Sequence, residues 1–172
     1  MRRWLGPLAA LILTAMAAHW ATLAYAPRVI MDRALSTLKD RGIAQHAFTT
    51  PRRITPQTQA VVRSSPDLFY SLCRYDLSEP GSSLKVTMSA WPDYQSLSFF
   101  DDETNNFLVL RPKSGPVEME LVIGGKGSET PGRITTSRKR GVVLIRRLAP
   151  TQELFDAAME VAEGDVCELV RP

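Results

Sequence analysis

The sequence predicts a mainly β protein: an antiparallel sandwich or barrel-like domain with one C-terminal helix, preceded by an N-terminal transmembrane helix and a short amphipathic helix. Three observations support this prediction. Residues 4–26 contain no charge, and 18 of these 23 residues are apolar. From Leu68 onward, apolar and polar residues alternate with a period of two, which is typical of half-buried strands. After Thr151, apolar residues recur with helical spacing.

Residues 1–26 are predicted to form a membrane anchor. Residues 5–26 would make a helix of about 33 Å, enough to cross a hydrocarbon core of about 30 Å, so the lipid bilayer is the expected partner of this segment. A cleaved signal peptide is the alternative, because Ala24 and Ala26 flank Tyr25 in a small-x-small pattern. However, Pro27 would follow the cut, and the apolar run exceeds the usual length of a signal core. We therefore expect an uncleaved anchor, although the sequence leaves open whether it is ever cleaved.

The connection to the domain falls into two segments. Residues 27–42 have an apolar face at helical spacing, with Pro27 suited to a first turn and Gly42 to a stop. This amphipathic helix is either a stalk on the membrane surface or, as we prefer, packs on the domain. Residues 43–66 contain three prolines and few apolar runs, which indicates an irregular wrap around the domain.

Residues 67–172 are predicted to be the β domain. Turn residues rich in Gly, Pro and Asp separate the alternating stretches. Seven short strands at this spacing favour an antiparallel sandwich or barrel. The expected strands are residues 68–76, 84–89, 94–101, 106–111, 117–123, 133–137 and 142–148.

One helix is expected after the last of these strands. Thr151 is suited to the N-cap position, and Gly164 would end the helix. Its predicted apolar stripe, which we expect to face the core, consists of Leu154, Phe155, Ala158, Met159 and Ala162.

The charge of the domain disfavours a nucleic-acid partner. Beyond residue 26, 19 basic residues face 18 acidic ones. The charges are nevertheless segregated, with basic residues gathered in 133–147 and acidic residues in 153–168. The basic residues, as a hairpin, could touch anionic lipid or another polymer of the envelope. We prefer the alternative, in which the acidic helix lies near this hairpin and partly neutralises it.

The two cysteines, Cys73 and Cys167, are too few for an ordinary zinc site. In an oxidising compartment they could form a disulfide, and in the cytoplasm they would be two buried free thiols. Because an export segment precedes them, and because a short N-terminal tail usually stays inside, we favour the disulfide and a domain outside the cytoplasm.

The remaining chemistry is sparse, so no catalytic residue, metal or cofactor is predicted. Residues 101–106 (DDETNN) could hold calcium, but they also suit a solvated hairpin loop, which we prefer. His46 is the single histidine beyond the anchor, and no G-x-S-x-G motif accompanies it. The glycine-rich residues 124–128 (GGKGS) do not complete a phosphate loop, because Gly127 separates Lys126 from Ser128.

Four motifs resemble a known family. They are residues 65–71 (SPDLFYS), 75–78 (YDLS), 93–100 (DYQSLSFF) and 105–107 (NNF). Together they resemble the bacterial family called domain of unknown function 1254, in its short branch with a single span, over about residues 43–167. Gln95 stands where that family often has an aromatic residue. The family pattern singles out Asp67, Tyr70, Tyr94, Ser96, Thr104, Asn106 and Phe107.

The resemblance implies a mostly antiparallel β-sandwich in a bacterial protein, without an assigned activity. We expect a single-pass protein of the inner membrane with its domain in the periplasm, acting as a binding or interaction module with an envelope protein as a candidate partner. The candidate ligand-binding residues are Asp67, Tyr70, Tyr94, Ser96, Asp101, Thr104 and Asn106. The alternatives are an envelope hydrolase using Asp67, Tyr70 and Asp101 in a cleft, or a small-ligand carrier with an apolar cavity between its sheets. The sequence does not predict an oligomeric state.

Overall fold

The structure is a computed structural model that describes residues 4–53, 64–113, 115–124 and 131–172. In these described residues, a long helix α1 precedes eight strands that form two sheets, and a second helix α2 lies between the last two strands. The elements are α1 (Leu5–Asp40), β1 (Leu68–Asp76), β2 (Ser83–Met88), β3 (Gln95–Asp101), β4 (Asn106–Leu110), β5 (Val117–Ile123), β6 (Arg133–Thr136), β7 (Arg140–Leu148), α2 (Gln152–Ala162) and β8 (Val166–Val170).

The two sheets have four strands each, which confirms the predicted β-sandwich. The first sheet has the order β1-β7-β3-β4 and is antiparallel throughout. The second has the order β6-β5-β2-β8, in which β6 runs parallel to β5 and the other pairs are antiparallel. All seven predicted strands are present, and β1 and β5 have the predicted bounds.

The core between the sheets follows from the alternation of side chains along the strands. In β2, Leu84, Val86 and Met88 are fully buried, as the period of two predicts, whereas Lys85 faces solvent. Their counterparts from the first sheet include Phe99, which lies opposite Val143 of β7 in register. The core therefore forms from the inward rows of both sheets.

Helix α1 corrects the prediction of two separate helices. The structure continues one helix of 36 residues, about 54 Å long, through Pro27. Proline removes one backbone hydrogen bond from a helix, but residues on both sides favour helix, and proline is tolerated in membrane helices. By length and composition α1 can cross a membrane. Met31 is its buried residue, so the segment after Pro27 does contact the domain, as preferred above.

Helix α2 confirms the predicted N-cap but corrects the predicted stripe. The amide of Leu154 donates to the hydroxyl of Thr151 at 3.3 Å. Phe155 and Ala158 are buried, whereas Leu154 and Met159 are 39% and 47% exposed. The buried face is rotated around the helix relative to the predicted stripe, because α2 packs on a second core cluster. That cluster includes Phe69, Trp91, Ala149, Ala157, Val161 and Ala162.

Strand β8 was not predicted from the sequence, and parts of the predicted connections lie outside the residues that the structure describes. β8 has five residues directly after a helix, too short a run for its periodicity to be noticed, and it is held by pairing with β2. In the predicted wrap, Thr49 forms an isolated bridge to Leu72 of β1. Residues 1–3, residues 54–63 of the wrap and residues 125–130, which include most of the glycine-rich loop, lie outside the described residues.

Gly141 is the position in β7 where a side chain has no room. A Cβ atom there would collide with the carbonyl oxygen of Phe100 and lie 2.5 Å from the hydroxyl of Tyr75. We expect Gly141→Ala to destabilise the domain by about 1–3 kcal/mol, the usual cost of overpacking. Thermal melts of the full chain in detergent would measure this. The matched variant Gly124→Ala, whose Cβ meets only the side chain of Thr135 at 3.3 Å, should cost less, and equal losses would contradict the steric explanation.

Candidate functional site

The seven candidate residues fall into two groups at opposite ends of the first sheet. Strands β1 and β3 are both antiparallel to β7, so they run in the same direction. Their starts therefore lie at one end and their finishes at the other. Asp67, Tyr70, Tyr94 and Ser96 belong to the first end, and Asp101, Thr104 and Asn106 to the second.

The first group forms a surface that we call the tyrosine patch, made of Tyr70, Tyr94, Ser96 and Arg146. Tyr70 of β1 and Ser96 of β3 both lie opposite Arg146 of β7, so the three side chains share one face of the sheet. The hydroxyls of Tyr94 and Ser96 are 3.3 Å apart, and the amide of Ser65 donates to the hydroxyl of Tyr70 at 2.9 Å. Tyr94 is 38% exposed. The family pattern in the sequence singled out the three hydroxyl-bearing residues of this patch, but it did not single out Arg146.

Arg146 provides the positive charge of this patch. Among the residues that the structure describes, its guanidinium makes no ion pair, unlike Arg133, Arg138 and Arg140 nearby in the chain. Asp67 lies just before β1 with an exposed side chain, and its carbonyl accepts a hydrogen bond from the amide of Ala149. Ser96 is buried, so the patch offers half-exposed Tyr94 and the partly buried cation of Arg146, which suit a hydrogen-bonding ligand with a negative group.

The second group closes the β3–β4 hairpin. Asp101 is 7% exposed, and its Oδ1 accepts hydrogen bonds from the amides of Glu103 and Asn105 at 2.8 and 2.9 Å. Its Oδ2 accepts from the Asn105 side chain at 2.9 Å. Thr104 has a φ of 66°, a left-handed conformation that the turn requires. With its amide oriented to suit its neighbours, Asn106 donates to two backbone carbonyls. These interactions support the predicted hairpin loop.

A charge network, which we call the anchor clamp, ties this hairpin to α1. Arg28 donates to Glu103 at 2.6 Å, and Glu103 also pairs with Arg138. Asp32, one turn further along α1, pairs with Arg140 at 3.0 Å. Asp102 lies within 4.0 Å of Arg138, in the β6–β7 turn, and of Arg140, which begins β7. The network consists of Arg28, Asp32, Asp102, Glu103, Arg138 and Arg140.

The expectation that the acidic segment partly neutralises a basic hairpin holds for one pair, Arg147 with Asp165, among the residues that the structure describes. The basic residues do not form a hairpin, because β6 and β7 belong to different sheets. Arg138 and Arg140 are paired by α1 and the β3–β4 hairpin instead, and Arg133 lies 3.5 Å from Glu120 of β5. Sequence reasoning missed these pairs because their members are far apart in the chain. Arg28 and Glu103 are 75 residues apart, and no periodicity connects them.

Arg147 and Asp165 form a fully buried ion pair behind the tyrosine patch. Two nitrogens of Arg147 contact both oxygens of Asp165 at 2.6 and 2.8 Å. Arg147 also donates to the carbonyl of Ser89, whose amide donates to Asp165. Next to this pair, Gln95 lies opposite Arg147 in register. The pair therefore fixes the first sheet against the segment that joins α2 to β8.

The structure joins Cys73 of β1 to Cys167 of β8 in a disulfide, as the sequence predicts. Their Cα atoms are 6.5 Å apart, and both residues are buried in the main core. The bond connects the two sheets across a sequence separation of 94.

The hydrolase set is not brought together. Asp67 and Tyr70 lie at the first end of the sheet, whereas Asp101 ends β3, five residues or about 17 Å from Ser96. The backbone amide of Asp76 donates a hydrogen bond to Nε2 of His46 at 3.0 Å. This nitrogen therefore has a structural role in the fold. Within the described ranges, no three acidic, histidine or cysteine side chains are grouped so that they could hold a metal.

One depression lies on the second sheet and not between the two sheets. It has a volume of about 330 Å³ and is wide open to solvent. It is lined by Lys85, Glu118, Met119, Glu120, Gly132 and Val170. The side chains between the sheets are instead fully buried core residues such as Leu84, Phe99 and Leu121.

Among the residues that the structure describes, Tyr75 is the one with a strongly shifted pKa, and this shift predicts how the stability of the domain depends on pH. Its hydroxyl donates to the carbonyl of Phe100 at 3.1 Å, and burial raises its pKa well above the ordinary value, with Asp101 and Asp102 adding to the shift. The neutral phenol is thus favoured in the folded state. Its contribution to stability is fully present below about pH 10, the ordinary tyrosine pKa, and is lost as the pH rises further.

We expect Tyr75→Phe to cost about 1 kcal/mol at neutral pH, the net value of a hydrogen bond, and to flatten the loss of stability above about pH 10. Melting temperatures of the full chain between neutral and alkaline pH would show this. Tyr94→Phe, at an exposed position, should keep the alkaline slope of the original protein. An unchanged slope in Tyr75→Phe would contradict the prediction.

Comparisons with known proteins give a family and a fold. Residues 45–167 match the model of a family described as protein of unknown function (DUF1254). The crystal structure of the VPA0106 protein from Vibrio parahaemolyticus is similar with a TM-score of 0.61 and 10% identity, over 84% of this chain and 35% of that one. An uncharacterised protein from Burkholderia cenocepacia gives a TM-score of 0.49 and 17% identity, over 91% and 43%. The chain thus spans less than half the length of both. A comparison with curated proteins finds no match.

Proposed function

We propose that this chain, which belongs to the DUF1254 family of proteins of unknown function, is a membrane-anchored binding module of the bacterial envelope that binds a protein partner with the tyrosine patch. The observation that supports this most is the arrangement of the two ends of the first sheet. One end is bound to α1 by the anchor clamp, and the opposite end presents Tyr94 beside Arg146, which makes no ion pair within the described part of the chain. The domain is therefore held at one end and accessible at the other.

The proposed compartment is the periplasmic side of the inner membrane. Disulfides persist in oxidising compartments and are rare in the cytoplasm, so the Cys73–Cys167 bond supports a domain outside it. Helix α1 supplies a segment that can cross the membrane once. Fusion of alkaline phosphatase, which is active only after export, to the C-terminal end of the chain tests this. An inactive fusion that is still inserted in the membrane would overturn the proposed orientation.

The proposed ligand is an acidic segment of an envelope protein. Tyrosine and arginine are the residues that most often dominate the energy of protein interfaces, and the patch contains both. Arg146 is partly buried, so a carboxylate that reached it would form a charge-assisted hydrogen bond shielded from solvent. The neighbouring hydroxyl of Tyr94, a residue that is 38% exposed, could bind the rest of the same group, and buried Ser96 positions this hydroxyl at 3.3 Å.

A photo-crosslinking residue placed at Tyr94 in living cells tests this function. We expect an adduct with a single envelope protein, joined through a segment rich in Asp or Glu. The adduct should be lost in Arg146→Glu and retained in Arg146→Lys, since only the former reverses the charge. The same crosslinker at exposed Lys85, on the second sheet, is the control and should give none. An adduct whose yield does not depend on the charge at Arg146 would overturn the assignment.

A further inference from the structure

We infer that the anchor-side end of the domain lies in the headgroup layer of the membrane, with the β3–β4 hairpin at the lipid surface and Lys139 as its contact with lipid phosphate. The inference rests on the proposed anchoring by α1 and adds a second membrane contact, made by the β domain itself. The lipid contact would orient the domain, which the anchor already retains at the membrane.

The first support for this inference is the short distance along α1 from the predicted span to Arg28, the residue that binds the β3–β4 hairpin. Arg28 is two residues beyond the predicted span, about 3 Å along the helix. The headgroup layer of each leaflet is about 5–8 Å thick. Because the guanidinium of Arg28 contacts Glu103 at 2.6 Å, the β3–β4 hairpin lies beside the first turn that leaves the hydrocarbon. Asp32 binds Arg140 at 3.0 Å one turn later, so the β6–β7 turn is held next to the same stretch of helix.

The apolar surface of α1 supports a deep position for this helix. Val29 and Ile30 are 56% and 60% exposed, so apolar surface continues for one turn past residue 26. The charge that interrupts it, Arg28, is compensated by Glu103. Residues 4–30 would make a helix of about 40 Å, longer than the hydrocarbon core, and the excess has to lie in the interface. That excess brings the hairpin bound to Arg28 toward the headgroups.

The chemistry of the exposed turns fits headgroups. Lys139 lies between Arg138 and Arg140, which are both paired in the clamp, whereas Lys139 itself makes no ion pair with the residues that the structure describes. Its backbone carbonyl accepts a hydrogen bond from the amide of Leu77 at 2.7 Å, which fixes the turn while the side chain stays exposed. Thr104, at the tip of the β3–β4 hairpin, is exposed and polar. A free cation beside polar groups suits phosphate headgroups, above all in anionic lipid.

Spin labels on the full chain in nanodiscs of phosphatidylethanolamine and phosphatidylglycerol test the inference. The native cysteines are bonded to each other, so Thr104→Cys can be labelled selectively. A nickel chelate attached to the lipid headgroups should relax a label at Thr104 several-fold more than one at Asp93, which precedes β3 at the opposite end. Equal relaxation at the two sites would overturn the inference.

Two further measurements separate this inference from the anchoring on which it rests. A label at Leu13 should be shielded from a water-soluble nickel complex if α1 spans the bilayer. A shielded Leu13 with no excess relaxation at Thr104 overturns only the headgroup contact, whereas an accessible Leu13 overturns the anchor as well. Lys139→Glu should lower relaxation at Thr104 in the anionic discs and not in discs of phosphatidylcholine, and Lys85→Glu, on the second sheet, should lower it in neither.

Discussion

Replacing Asp165 with alanine is expected to destabilise the β domain by about 3–5 kcal/mol, because the substitution leaves a buried guanidinium without its partner. The side chains of Arg147 and Asp165 are both fully inaccessible to solvent. Water cannot replace the lost carboxylate without opening the packing between β7 and the segment after α2. The amide of Ser89 would lose its acceptor as well. Thermal and urea unfolding of the full chain in detergent would measure the loss.

Two variants distinguish this explanation from a general sensitivity of the domain. Asp156→Ala removes an exposed carboxylate from α2 and should change stability by no more than about 0.5 kcal/mol. The double variant Arg147→Met with Asp165→Leu removes both charges and should recover most of the stability, since well-packed apolar pairs replace buried ion pairs at little cost. A double variant no more stable than Asp165→Ala would indicate that shape, and not charge, sets the loss.

The position of Arg147 shows how much of this region could be predicted from the sequence. Val143 and Ile145 face the core, and the same alternation places Arg147 inward and Arg146 outward. The pattern therefore contained the signal for a buried arginine, and with it the signal for a partly exposed cation, Arg146, on the opposite face of the sheet. It contained no signal for Asp165, which comes from the connection between α2 and β8.

For the same reason, the secondary-structure elements could be predicted from the sequence, but their arrangement in space could not. Local alternation was enough for seven strands, and the capping threonine was enough for α2, because these features depend on neighbours in the chain. Strand order is decided by contacts between distant segments, as in the parallel pairing of β6 with β5. For this reason the candidate residues looked like one site in the sequence but lie at two ends of a sheet. Asp101 belongs to the hairpin at the anchor, and Tyr94 to the opposite surface.

Loss of the Cys73–Cys167 disulfide is the second large effect that we expect, at about 2–5 kcal/mol. The bond closes a loop of 94 residues and joins β1 in the first sheet to β8 at the edge of the second. Its absence would let the unfolded chain explore more conformations, and β8 would keep only its pairing with β2 to hold it. The double variant Cys73→Ala with Cys167→Ala should therefore melt well below the oxidised protein in detergent.

The reduced form of the unchanged chain separates the cross-link from the packing of the sulfur atoms. It keeps both sulfurs in the core, so its loss of stability reports the cross-link, and the further loss in the double alanine variant reports the cavity. Because Cys73 is fully buried and Cys167 nearly so, reduction should require unfolding and be slow under native conditions. Oxidised and reduced proteins with the same melting temperature would show that β8 is held by its strand pairing alone. The bond would then reflect an oxidising compartment and would not contribute to the stability of the fold.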